Sequence, residues 1–196
     1  MNTSQAIDSP IDRATLIDVQ LATAYFPILV DFARSSQLVT YGDLVERAKA
    51  AYPNDPVVQR AIAVSTGRRL DIVREFTIQQ ELPDITSLVI SQGTGECGIG
   101  FTRTFDPVAV RGTVFAFDWS NVTLAFSGFV AQRTTRLKPR KKVKEETALQ
   151  LMSSYFYANR STLPATVRNH REYIVERIME GLTPEEAFAE ATELGT

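Results

Sequence analysis

The chain has 196 residues, 44% of them hydrophobic and 22% charged, with a formal net charge of -2. That length allows a real core in one moderate domain, or in a domain with a small appendage. The near-neutral balance excludes a molecule-wide polycation, so attraction to a polyanion has to come from local patches.

In chain order, residues 15–36 read as a helix, because Leu16, Val19, Thr23, Phe26, Val30 and Ala33 recur at three- and four-residue steps. Pro27 either kinks this helix or starts a second one. Thr40 is an N-cap with Asp43 three residues on, so a helix over residues 41–51 is predicted to bury Leu44, Val45 and Ala48. Pro53-Asn54-Asp55-Pro56 reads as a turn in which Asp55 caps the next helix and Pro56 takes its first position. Residues 57–80 follow a helical pattern (Val58, Ala61, Ile62, Leu70, Val73, Phe76), broken or strained near Ser65-Thr66-Gly67 and stopped by Pro83.

From Ile85 the character changes. Residues 85–91 are rich in branched side chains and predict a strand. Residues 93–98 are glycine punctuation, and 99–104 look extended, so a β-hairpin is expected here. Residues 108–117 fit either helix or strand, and 121–130 are ambiguous. Gln132 to Lys144, QRTTRLKPRKKVK, is basic without a single acid and carries Pro139 in its middle, which predicts a linker or arm. Residues 145–158 and 165–180 read as helices, the second closed by Gly181. Thr183, Pro184, Glu185 and Glu186 make the strongest helix start in the chain.

Four sets of residues suggest chemistry. Gly93-x-Gly95-x-x-Gly98 follows an apolar run, and Asp118 stands about 20 residues on, as in a dinucleotide site. Such a site needs its third glycine to open a helix on a parallel sheet. Here Gly100 and an alternating run follow instead, so a plain turn is expected and no cofactor. Cys97 lies among glycines and His170 far from it in sequence, so an unreactive turn cysteine is expected rather than a nucleophile. One cysteine and one histidine also exclude an internal disulfide and the usual four-ligand nitrogen and sulfur zinc sets within one chain.

The cations are more informative. Arg133, Arg136, Lys138, Arg140, Lys141, Lys142 and Lys144 form a dense basic stretch suited to phosphates, and Arg60, Arg68, Arg69 and Arg74 add to it. The competing expectations are a solvated linker, an acidic protein as partner, or pairing of Arg60 and Arg74 with Asp71 and Glu75. No run approaches the ~18–20 apolar residues of a membrane span, and with no apolar leader at the start the cytoplasm is the expected location.

Tyr41-Gly42-Asp43-Leu44, the arginine-bearing helical segment and Leu88 to Gly100 resemble the winged-helix DNA-binding domain of alkylguanine-DNA alkyltransferases and alkyltransferase-like proteins, over about a third of the chain. The resemblance implies a recognition helix with arginines and a wing at residues 93–98. The Pro-Cys-His-Arg motif of that family is replaced by Pro83-Asp84-Ile85-Thr86, so dealkylation is not implied. Leu88, Val89, Ile90, Ser91, Thr94, Gly95, Gly98, Gly100 and Phe101 also resemble a hairpin in a group of small uncharacterised proteins from bacteria and their mobile elements.

The expected fold is therefore α+β and mostly helical: a winged-helix-like domain with a β-hairpin over 1–131, a basic linker or arm over 132–144, and C-terminal helices over 145–196. The expected function is DNA binding by a regulator or accessory protein of a mobile element or phage, without enzymatic activity. The alternative is an inhibitor or adaptor that docks on a host nucleic-acid or defence enzyme. Self-association through the C-terminal helices is a further expectation.

Overall fold

The computed structural model describes residues 14–102, 105–137 and 139–194. The chain is mostly helical and divides into two compact units, Met1–Leu137 and Lys138–Thr196.

The first unit is built around α1, Leu16–Arg34. Thr15 caps it and Asp18 closes a capping box, with Thr15 N–H donating to Asp18 Oδ2 at 2.8 Å. The helix runs through Pro27 without ending. By length and composition α1 could cross a membrane, with mean hydropathy 1.4, which the absence of an apolar run did not anticipate. Its apolarity has a local cause: Leu21, Tyr25, Phe26 and Leu29 are fully enclosed by the rest of the unit.

β1 (Val39–Thr40) leads into α2 (Tyr41–Ala51), where Thr40 Oγ1 accepts from Asp43 N–H at 3.0 Å. Asp55 caps α3 (Pro56–Gln59), as its position before Pro56 predicts. The helical pattern over 57–80 is broken into two helices, and the break expected near Ser65-Thr66-Gly67 falls just before Thr66. α3 ends at Arg60, a 3-10 turn covers Ala63–Ser65, and α4 spans Thr66–Gln79. The Ser65 and Thr66 hydroxyls both donate to Ile62 C=O, at 3.2 Å, and this folds the chain back at the new start.

The β-hairpin is not present among the described residues. Asp84 accepts from Thr86 N–H at 3.0 Å and caps a 3-10 turn at Ile85–Leu88, so only Val89–Ile90 (β2) is extended. β2 pairs in parallel with β1, Val39 opposite Val89 and Thr40 opposite Ile90. Residues 91–97 close on themselves, Ser91 N–H to Glu96 C=O and Gly95 N–H to Ser91 C=O, both at 2.8 Å, with Gly95 at φ +70. The expected returning strand is a single helical turn, α5 (Ile99–Thr102), tied by Phe101 N–H to Gly98 C=O at 2.9 Å.

Residues 107–136 resolve to helix on both ambiguous segments. α6 (Pro107–Ala116) starts at an Asp106 cap, and α7 (Val122–Arg136) runs into the basic stretch. Phe26, Phe76, Phe126 and Phe129 join α1, α4 and α7. Phe26 stacks on Phe126 at 4.0 Å and meets Phe76 edge-on at 5.5 Å.

The second unit holds α8 (Glu145–Asn159), a 3-10 segment at Ala165–His170, α9 (Arg171–Met179) and α10 (Pro184–Leu194). Tyr173, Ile174, Ile178, Ala187 and Phe188 form its core. Arg177, fully buried, bonds to Glu190 at 2.9 Å and to Glu180. Tyr173 Oη donates to the same Glu190 oxygen at 2.9 Å.

Candidate nucleic-acid interface

The cations singled out in the sequence separate into two groups. Arg68 and Arg69, at the start of α4, both turn inward to the buried Asp18, with Nε-to-oxygen distances of 3.6 and 3.1 Å. Arg69 is fully enclosed and also donates to Ser65 C=O at 2.7 Å. Arg74 bonds through Nε to Asp84 at 2.8 Å and through Nη2 to Thr86 Oγ1 at 3.3 Å. Its guanidinium lies over Phe101, 4.7 Å from the ring centre. Arg133, on α7, lies 3.5 Å from Glu75 on α4. Arg140 donates to Glu186 at 2.8 Å.

These pairings differ from the sequence-local ones expected: Arg74 takes Asp84, and Glu75 takes Arg133. α4 spends its arginines on the fold, because seven of its residues are buried and the acids that face it come from α1 and the 3-10 turn. Arg60, Arg136, Lys141, Lys142 and Lys144 form the second group. All are exposed, and among the described residues none has a carboxylate in ion-pair range. Lys138 lies outside the described residues.

Lys141, Lys142 and Lys144 sit on a strap held down along the second unit. Val143 N–H donates to Met179 C=O at 3.1 Å, and Arg140 is clasped by Glu186. The same Glu186 oxygen accepts from Thr183 N–H at 2.8 Å, so one carboxylate caps α10 and anchors the strap. Burial opposes ionisation of Glu186, but bonds from Arg140 and Thr183 outweigh it and hold the carboxyl below its usual range. Gly181 lets the strap approach. It has φ +99, and a Cβ there would lie 2.8 Å from both Arg140 Cβ and Lys141 C=O. Arg140 and Val143 thus face inward, and the three lysines project into solvent.

A second cluster gathers at the glycine turn of the first unit. Arg111 donates through Nε to Ser87 C=O at 2.8 Å and through Nη2 to Cys97 Sγ at 3.1 Å. Cys97 is 6% exposed, and burial raises its thiol pKa despite Arg111. Burial also raises Tyr41, whose hydroxyl accepts from Gly98 N–H. Burial pushes Asp71 from 3.8 up to about 6, although Arg74 and Arg68 pull it down. The glycines serve packing here: a Cβ on Gly98 would stand 2.9 Å from Tyr41 Oη. Asp118, the acid about 20 residues beyond the glycines, caps its own turn by accepting from Ser120 N–H at 3.0 Å.

Sequence reasoning passed over Arg160, Arg168 and Arg171. They are exposed at the far end of α8 and around the following corner. Their spacing hides them, since they form no run.

No family model, curated protein or solved structure matches the chain.

Proposed function

We propose that this protein binds nucleic acid through the lysine strap of its second unit, as a regulator or accessory factor of a mobile element or phage. The supporting observation is the strap itself. Three lysines without a carboxylate in ion-pair range among the described residues are projected from a backbone that Glu186, Met179 and Gly181 already hold in place. A pre-ordered cationic row loses less freedom on meeting phosphates than a loose tail does. Lysines release counterions from the nucleic-acid backbone, so binding is electrostatic and salt-dependent. In the first unit Arg60 and Arg136 are exposed cations with no carboxylate in ion-pair range among the described residues.

The winged-helix resemblance belongs to this reading, supported by the Thr40-capped helix opening at Tyr41, while the turn after β2 carries no hairpin wing among the described residues. It is narrowed by the arginines of α4, which are engaged within the chain. Electrophoretic shifts on duplex and single-stranded DNA at two salt concentrations test the proposal. Absence of binding to either, at low salt, removes it.

A second reading, docking on a host protein, draws on the outer face of α6 and the uncharged first turns of α7, where Val108 and Leu124 are 72% and 83% exposed. A host protein that stays bound to the chain after nuclease treatment favours this reading.

A further inference from the structure

The far end of α8 offers a different kind of contact. Tyr157 is 70% exposed, and its ring stands edge-on to Phe156, centres 5.9 Å apart. Arg168, from the 3-10 segment, lays its guanidinium over the other partner of that pair, 5.3 Å from the Phe156 ring centre. Arg160 continues the helical conformation as the C-cap of α8, three residues beyond Tyr157 and so on the same side of the helix. Arg171 follows Arg168 by three residues, the spacing at which side chains of a 3-10 segment align.

Residues 157–171 contain no acid, and none of the three arginines has a carboxylate in ion-pair range among the described residues. Ser161, Thr162, Thr166 and Asn169, exposed in the same stretch, add neutral hydrogen-bonding groups. An exposed flat ring at the same end of the helix as exposed arginines is the combination that holds unstacked bases while guanidiniums take the phosphates.

We propose that Tyr157, Arg160, Arg168 and Arg171 form a stacking platform for single-stranded nucleic acid. The inference rests on the nucleic-acid reading above and specifies its ligand: a strand whose bases are free to leave their neighbours. A duplex keeps its bases stacked, so the tyrosine gains nothing from it. An acidic protein would satisfy the arginines but supplies no regular series of flat faces for the ring. The platform and the strap stand at opposite ends of α8, about 22 Å apart by the rise of a fifteen-residue helix.

The test uses the full chain and a twelve-nucleotide single strand carrying 2-aminopurine, with a duplex of the same length beside it. Stacking quenches 2-aminopurine. Tyr157→Ala is expected to abolish that quenching and to weaken single-strand binding by about 10-fold, while Tyr157→Phe keeps both. Duplex affinity should be the same in all three proteins. Replacing Arg160 and Arg171 by Gln should lower the salt slope by about 0.7 per charge on the single strand.

If Tyr157→Ala leaves single-strand affinity and quenching unchanged, while K141Q/K142Q/K144Q still weakens binding, the platform falls and the strap stands. If the unmodified chain binds neither strand nor duplex, both fall. Displacement of the oligonucleotide by polyglutamate of equal charge and at equal concentration also overturns the platform, because it shows a site that reads charge alone. Since Tyr157 is largely in solvent, its replacement leaves the core intact, and an unchanged unfolding curve checks this.

Discussion

Arg69 Nε lies 3.1 Å from Asp18 Oδ1, and both side chains are fully withdrawn from solvent. Arg68 leans on the same carboxylate, which also completes the capping box of α1. The start of α4 is thereby fastened to the start of α1, and the two arginines are structural. Removing one partner of a buried pair strands the other's charge. Asp18→Asn is expected to destabilise the chain by about 3–5 kcal/mol in urea unfolding. The double replacement D18L/R69L should cost less than the two single changes added together.

Asp71 titrates in the opposite sense from a paired carboxylate. Burial raises it from 3.8 to about 6, so the folded chain holds this proton more tightly than the unfolded one. The charged form therefore costs stability above the folded pKa, and the cost fades as pH falls from about 6 toward 3.8. Asp71→Asn is expected to stabilise the protein by up to about 3 kcal/mol at pH 8, with the gain shrinking below pH 6. Urea midpoints across that range check the sign. An equal effect at every pH removes the explanation.

Gly181 is the position on which the strap closes. Alanine there meets both a left-handed backbone, at φ +99, and contacts of 2.8 Å to Arg140 Cβ and Lys141 C=O. Gly181→Ala should cost at least about 2 kcal/mol. Faster amide exchange at Val143, whose N–H bonds to Met179, would report the detached strap.

The strap lysines should act equally on any nucleic-acid sequence. K141Q/K142Q/K144Q is expected to flatten the dependence of binding on log salt by about one unit per lysine on duplex. Sequence preference, measured on two unrelated duplexes, should not change.

Cys97 should be slow to react. It is buried, its thiol is raised by desolvation, and Arg111 occupies its sulfur. A disulfide reagent at pH 8 should label the native chain far more slowly than the urea-unfolded one.

An apolar stripe made the helix at 16–34 legible, and caps made those at 41–51 and 184–194 legible, since Thr40 and Thr183 each sit beside an acid at the right offset. The segment after Pro83 misled for a physical reason. Its branched residues favour extension, but Asp84 captures Thr86 and winds Ile85–Leu88 into a turn. The roles of Arg68, Arg69 and Arg133 were illegible, because their partners Asp18 and Glu75 are brought to them only by the fold. The strap residues were visible as charge. That Arg140 and Val143 face inward depends on Gly181 and α10, far along the chain.

The parallel pairing of Val39–Thr40 with Val89–Ile90 has a kinetic consequence. The two segments are fifty positions apart, so the first unit has to close a long loop before this ladder rewards it. Contacts in the second unit join helices that follow one another closely. Short closures are fast and long ones slow, so when the full chain refolds the lysine-bearing end should organise ahead of the β1–β2 ladder.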